Sequence, residues 1–330
     1  MLNGALIIDK EQGMTSADVV FKIKKKYHLN SVGHTGTLDP MATGVLVVLV
    51  GKATRLQHLL MAESKEYKGV ICLGSVTDTD DITGQVIKTF VTVQDTFGIY
   101  TNSEQTERSQ TFPSNLYLAD FPRYEESLKA KFTGKMMQVP PVYSAVHVDG
   151  KRAYTLARAN QEVSLPPREI EIYGSDFKFV PVEGLDVDKR YFFDVGIKYN
   201  IVCSKGTYIR SVARDVGEFL ECGAALGSIR RLCSGKFKVA NADKSGDLTE
   251  EITENKSWLN FDELVSSFPK LMLSQDEVFE LSFGRQEVLE RFRDDSSTKE
   301  AVFNLVDENT NHSIGLAEMQ DGKLRVRFML

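Results

Sequence analysis

The sequence predicts an α+β fold: a large mixed domain followed by a small β-rich unit. Three observations lead there. Helical and strand-like stretches interleave through the first 240 residues, an apolar β-branched run at 45–50 follows a long glycine-containing loop, and charge changes sign near residue 241, ahead of three short strand-like runs. A chain of 330 residues has room for two domains. Its 42% hydrophobic and 26% charged residues are ordinary globular usage, which excludes wholesale disorder and collagen-like or disulfide-framework proteins.

The elements follow in order. Residues 5–8 are a short apolar strand, and 17–27 read as a helix with Val19, Val20, Ile23 and Tyr27 as its apolar stripe and Thr15 or Ser16 as its cap. Residues 31–44 are too rich in Gly, Thr and Pro for a regular element and read as a loop held by the strand at 45–50. Residues 65–74 and 85–90 read as strands flanking a turn-rich acidic stretch. Residues 93–120 are polar and aperiodic and read as an insertion or loose loop. Helical patterns return at 124–132 and 151–160, separated by the extended Val139-Pro-Pro-Val142. A strand at 190–203 leads through Lys205-Gly-Thr-Tyr-Ile-Arg210 into a helix ending near 221, and 229–239 contains short strands. The C-terminal unit shows strand-like runs at 301–306, 313–317 and 324–329.

Charge is unevenly spread. The whole chain carries −6, but residues 1–240 carry net +3 and 241–330 net −9. Within 131–240 the net charge is +5, with Lys205, Arg210, Arg214, Arg230, Arg231, Lys236 and Lys238 among its cations. A local positive surface suited to nucleic acid is therefore compatible with an acidic protein. Cys72, Cys203, Cys222 and Cys233 form no CxxC pair, so they read as reduced thiols without disulfide or zinc. With no basic leader and no run of about 20 apolar residues, the expected location is cytoplasmic and no membrane partner is expected.

Two stretches suggest chemistry and are set aside. Asp78 and Asp80, in Asp78-Thr-Asp-Asp-Ile-Thr83, have the flavour of an aspartate-nucleophile, magnesium-dependent phosphatase, but no apolar strand ends at the first Asp, and an acidic hairpin turn fits better. Gly51-Lys-Ala-Thr lacks the glycine spacing of a phosphate loop. The loop carrying Gly33, His34, Gly36, Asp39, Pro40 and Gly44 is stronger, because small residues allow close backbone approach while one carboxylate is presented as nucleophile or base. A carboxylate in a closed pocket needs a compensating cation. Arg210 is a candidate, with Tyr208 beside it; a surface arginine next to a core tyrosine fits the same pattern equally well.

Gly33-His-Thr-Gly-Thr-Leu-Asp-Pro-Met-Ala-Thr-Gly-Val-Leu46 resembles the signature loop of the TruB-type tRNA pseudouridine synthases. Leu6-Ile-Ile-Asp-Lys-Glu-Gln-Gly-Met-Thr-Ser16, Lys65-Glu-Tyr67, Leu73-Gly with Thr77-Asp-Thr-Asp80, Tyr143-Ser-Ala145, Cys203-Ser-Lys-Gly-Thr-Tyr-Ile-Arg210 and Arg230-Arg-Leu232 resemble its other blocks in the same order. Agreement spans about residues 3–90 and 131–240. Glu11 departs from the proline common in relatives, which touches local turn geometry.

The resemblance implies a pseudouridine synthase fold with a mixed, largely antiparallel sheet over residues 1–257, carrying the insertion at about 93–120, and a small PUA-like β-rich domain over 258–330. It implies isomerisation of uridine 55 in the T-arm of tRNA, with no metal or cofactor and tRNA as the partner of a monomeric enzyme. Residue by residue, Asp39 matches the catalytic aspartate, Tyr67 the tyrosine that stacks on the uracil, and His34 the histidine near the displaced nucleotide. Tyr208 and Arg210 match the pocket tyrosine and the aspartate's arginine, and Ile229 the bulky apolar lining. Lys10 and Lys205 match basic positions with supporting or RNA-contact roles. A tRNA-binding or RNA-folding protein with secondary catalysis is the alternative.

Overall fold

The computed structural model describes residues 2–61, 63–91, 110–111, 121–144, 146–148, 150–159, 161, 163–182, 192, 195–292 and 302–330. The expected insertion at 93–120 therefore lies outside the described residues, apart from the two-residue strand Gln110–Thr111.

The apolar run at 45–50 becomes the pivot of the fold. It lies in strand β3 (Thr43–Val50), which pairs antiparallel with β1 (Gly4–Lys10) from Gly4↔Val50 to Lys10↔Gly44. Side chains alternate across a strand, so Leu46, Val48 and Val50 enter one core while Val45, Val47 and Leu49 enter another. Burial on both faces explains why the run is apolar throughout rather than alternating with polar residues.

Helix α1 (Ser16–Lys26) covers the first face with Val19 and Ile23. Thr15 caps it in a capping box with Asp18, and Lys24, Lys25 and Lys26 in the last turn suit the helix dipole. The expected loop at 31–44 is partly regular: Val32–His34 forms a short strand, β2, against β3. Unpaired backbone groups on the edge of β3 drew those residues into pairing despite their turn-like composition.

The described sheet runs in the order Asp243–Lys244, β1, β3, Ala224–Ser234, β4 (Lys65–Leu73), Val195–Cys203, Arg168–Pro181, Gly134–Gln138. It is mixed: β3 runs parallel to Ala224–Ser234, β1 parallel to Asp243–Lys244, and the other pairs along that order are antiparallel. Two strands that periodicity did not reveal, Arg168–Pro181 and Gly134–Gln138, complete it. The expected strand at 85–90 is Val86–Val91, and its described partners are the short Ser75–Thr77 and Gln110–Thr111 rather than β4. Helix Ile209–Phe219 packs into the first core through Ile209, Val212, Ala213 and Val216.

The two halves of the sheet meet at a narrow joint. Strand β3 touches Ala224–Ser234 through only two register pairs, Arg230↔Thr43 and Arg231↔Gly44. At the joint Gly44 has φ +100°, and a Cβ there would sit 2.1 Å from the Arg231 carbonyl oxygen.

In the C-terminal region Lys270–Leu273, Val302–Asp307, Ser313–Gln320 and Lys323–Met329 form a separate four-stranded sheet. Trp258–Asn260, just past residue 257, pairs with β1 and so joins the large sheet. Leu316 and Phe328 of the small sheet pack into the second core together with Val45, Val47 and Phe261. Among the described residues no helix is long and apolar enough to cross a membrane.

The joint predicts a stability contrast. Gly134 also has φ +100°, but nothing lies within 4 Å of its Cβ position. Gly134→Ala should cost about 1–2 kcal/mol for the left-handed backbone alone. Gly44→Ala should cost clearly more, because the joint must also open. Denaturant midpoints of the two variants check this, and equal losses would show that the joint is not tight.

Candidate active site

Four segments converge on Asp39. The residue opens a turn in which Ala42 N donates to the Asp39 carbonyl at 3.0 Å, with Pro40 pre-set for the second position. Ser16, at the start of α1, pins the preceding residue: Leu38 N donates to Ser16 Oγ at 2.9 Å, and Ser16 Oγ donates to the Leu38 carbonyl at 3.2 Å. Lys10 is fully buried at the end of β1, and its Nζ donates to the carbonyls of Met14, Glu11 and Pro40 at 2.7, 2.9 and 3.3 Å. Burial lowers its pKa to about 8, opposed by the nearby Asp39 charge. Of the two roles the resemblance allows Lys10, this geometry is that of support.

The loop is fastened from below by Arg231, which is 1% exposed. Its Nε donates to the Val45 carbonyl at 2.7 Å and its Nη2 to the Gly36 carbonyl at 3.0 Å. It reaches both because Arg231 stands at the sheet joint, opposite Gly44 on one side and Tyr67 on the other.

Arg210, in the first turn of helix Ile209–Phe219, meets the aspartate at two points. Nε lies 3.0 Å from Asp39 Oδ2, and Nη2 donates to Oδ1 at 3.2 Å. Its other hydrogen bonds among the described residues go to backbone carbonyls, Thr79 at 3.1 Å from Nη1 and Tyr143 at 2.9 Å from Nη2. A second carboxylate, Asp81 Oδ2, stands 3.9 Å from Nε. The Arg210 side chain is 7% exposed and the Asp39 side chain 36%. The cation is therefore sealed inside while the anion keeps an open side, and the two-point geometry fixes the direction in which that open side faces.

Tyr67, on β4, is 9% exposed, and burial pushes its phenol up against the opposing charge of Arg231. Ile229 pairs with Gly69 two residues along β4 and is equally buried, in the same core as Tyr67. The half-buried Tyr208 is held by a reciprocal pair: its N–H donates to Gln138 Oε1 at 2.9 Å, and Gln138 Nε2 donates to its carbonyl at 3.1 Å. Burial raises its pKa too, and both Arg210 and Asp39 act on it electrostatically. His34 sits on β2, its Nδ1 buried without a hydrogen-bond partner among the described residues; burial and Arg231 hold its pKa below the usual value, favouring the neutral ring. Lys205 is exposed in the turn before helix Ile209–Phe219. No cluster of potential metal ligands occurs among the described residues.

The structure thus brings Asp39, Arg210, Tyr208 and Lys10 together around one loop, with Tyr67 and His34 joined to them through Arg231. It also extends one reading. The acidic stretch at 77–84 is a turn, with Asp78 Oδ1 accepting from Gln85 N at 2.7 Å, yet it is part of the site, because Thr79 and Asp81 face Arg210. Arg231 was missed as a site residue although it lies in the quoted Arg230-Arg-Leu232 block, since nothing local distinguishes a buried arginine from a solvated one.

Comparison with known proteins gives the family. Residues 24–117 and 93–209 match the TruB family pseudouridylate synthase N-terminal domain. A Bacillus cytotoxicus protein named tRNA pseudouridine synthase B is 32% identical over 323 residues, covering 96% of this chain and 92% of the relative. A Lactobacillus acidophilus protein of the same name is 38% identical over 251 residues, covering 75% and 74%. Among solved structures, a Cbf5-Nop10-Gar1 complex aligns with TM-score 0.61 at 20% identity over 99% of this chain and 84% of that one, a likeness of fold. The family model and the named relatives define a pseudouridine synthase. The chain belongs to the TruB family of pseudouridylate synthases.

Arg231→Met keeps most of the side-chain volume but leaves the Val45 and Gly36 carbonyls without their charged donor. With charged hydrogen bonds contributing about 1.5–3 kcal/mol each, the variant should lose about 3 kcal/mol in denaturant unfolding. A loss under about 1 kcal/mol would mean the loop does not depend on Arg231.

Proposed function

We propose that the protein isomerises uridine 55 in the T-arm of tRNA to pseudouridine, with Asp39 as the catalytic carboxylate. Family membership gives the reaction class, and the curated relatives are named for tRNA. The observation that carries the assignment is the two-point pairing of Asp39 with a buried arginine while its own side chain stays open.

The reaction breaks the C1′–N1 bond, rotates the uracil and forms a C1′–C5 bond, after which C5 loses its proton and N1 gains one. Atoms are conserved, no electrons are exchanged with a second reactant, and no cofactor is needed. Asp39 acts either as a nucleophile at C1′ or C6 or as a base leading to a glycal, and the paired guanidinium fixes the direction of the carboxylate for each of these. The target nucleotide must leave its stack, which costs a few kcal/mol. Stacking on Tyr67, worth about 1–3 kcal/mol, offsets much of that. Ile229 and Tyr208 would line the remaining walls, and His34 would stand beside the displaced nucleotide. Phosphate contacts from the basic 131–240 region, Lys205 included, would make binding weaken with salt. We take the enzyme to act as a cytoplasmic monomer, and the separate C-terminal sheet from Lys270 to Met329 to form the PUA-like domain, past Trp258–Asn260, which joins the large sheet.

Incubating unmodified tRNA with the protein and mapping pseudouridine at single-nucleotide resolution tests the reading. Modification at position 55 is the expected result; unmodified tRNA that still binds would favour the RNA-folding alternative. Asp39→Asn should abolish turnover, at least ~1,000-fold, because an amide is neither nucleophile nor base, with tRNA affinity nearly unchanged. Retained turnover would defeat the assignment. Tyr67→Ala should slow single-turnover formation by about 10-fold or more, the equivalent of a lost stacking contact, and an unchanged rate would remove Tyr67 from the stacking role.

A further inference from the structure

A second arginine lies one helical turn beyond Arg210. Arg214, four residues on, projects from the same face of helix Ile209–Phe219 and reaches the same two segments. Where Arg210 donates to the Thr79 and Tyr143 carbonyls, Arg214 takes the neighbouring groups. Its Nη1 lies 3.1 Å from Asp80 Oδ2, and its Nη2 donates to the Val139 carbonyl at 3.0 Å. Asp215, the next residue along the helix, steadies the guanidinium, with Oδ1 accepting from Nε at 3.0 Å and from Nη2 at 2.9 Å. Ser211 Oγ donates to the same Val139 carbonyl at 2.8 Å.

The acidic turn is thereby held from both ends. Asp80 has a left-handed backbone, φ +61°, its carbonyl accepts from Leu226 N at 2.9 Å, and its side chain is 12% exposed. On either side of it, Thr79 supplies a carbonyl to Arg210 and Asp81 supplies the more distant carboxylate. A shift of Asp80 would move the two groups of this turn that contact Arg210, and Arg210 in turn aims Asp39.

We propose that Arg214 and Asp80 are positioning residues for the isomerisation: their ion pair locks the 77–84 turn and Val139 against helix Ile209–Phe219, so that Arg210 can hold Asp39 at two points. The proposal rests on the reading that Asp39 carries the chemistry. Neither residue touches the open side of Asp39; each acts through Arg210. A reacting group displaced by about 1 Å costs on the order of 100-fold in rate.

The clamp also gives a pH signature. Burial pushes the Asp80 carboxyl up to about 6; Arg214 and then Arg210 oppose the rise, while Asp215 and Asp81 add to it. Below about pH 6 Asp80 takes up a proton and its bond to Arg214 loses its charge, so the clamp weakens as pH falls. Asp80→Asn is suited to test this, because asparagine keeps the shape and tolerates the left-handed backbone.

The experiment measures single-turnover pseudouridine formation and tRNA affinity for the parent, Arg214→Met, Arg214→Lys and Asp80→Asn between pH 5 and 8, with far-UV circular dichroism as a control for folding. Arg214→Met should slow the reaction about 10- to 100-fold at pH 7.5 while tRNA affinity changes less than threefold, and Arg214→Lys should recover part of the loss. The parent's rate should fall through an apparent pKa near 6, and Asp80→Asn should be slower at pH 7.5 and lack that step. If Arg214→Met does not fold, Arg214→Lys and Asp80→Asn carry the test. Folded variants within twofold of the parent, losses matched by equal losses in tRNA affinity, or identical pH profiles for Asp80→Asn and the parent would each overturn the clamp. A parent unable to form pseudouridine would overturn both the clamp and the assignment to Asp39. An active parent with unaffected variants would overturn the clamp alone.

Discussion

The site depends on one ion pair in which the two partners are buried unequally. Arg210 is enclosed and must find an acceptor for each N–H it takes out of water, because an unpaired buried charge is far more costly than a paired one. Four of its five N–H groups find one in both Asp39 oxygens and the Thr79 and Tyr143 carbonyls. Asp39 keeps its outer side accessible. The consequence is a carboxylate that points one way with an open side, the orientation that attack on, or proton removal from, an everted nucleotide would need under the proposed function.

Everything that holds this pair in place comes from elsewhere in the chain. Lys10, Ser16 and Arg231 fasten the loop around Asp39 from three directions, each through backbone groups of the loop or its flanks rather than through the aspartate itself. Because Arg231 also spans the joint between β3 and Ala224–Ser234, the place where the two half-sheets meet is the place where the site is anchored. Gly44 allows that close approach, and no other residue type could occupy φ +100° with a carbonyl so near. The mixed, largely antiparallel sheet is in this sense the mount on which a loop and a helix are brought face to face.

The parts of this arrangement that could be read from the sequence are those with a local signal. The apolar run at 45–50 announced β3, the Thr15 cap and apolar stripe announced α1, and the glycine-rich loop drew attention to Asp39. The pairing of Asp39 with Arg210, 171 residues away, came only with the family resemblance, since spacing alone left a surface arginine equally good. Arg168–Pro181 went unread because its polar half and the irregularity between Ile172 and Gly174 break the alternation. The 77–84 turn was recognised as a turn, but its place beside Arg210 is a tertiary fact set by the isolated bridge of Asp81 to Leu226 and by the helix above it. Trp258–Asn260 joined β1 because that strand's edge needed partners, which no feature of its own three residues discloses.

Under the proposed function, a two-point grip, rather than mere positive charge, would make Asp39 competent. Replacing Arg210 with lysine tests it most directly, because lysine keeps the charge but offers a single point of contact. The measurement is the single-turnover rate of pseudouridine formation in tRNA by Arg210→Lys, compared with the parent at matched tRNA occupancy. A rate lower by about 100-fold, the cost of a reacting group out of place by about 1 Å, is the predicted result. A lysine variant that turns over at the parent's rate would contradict the account.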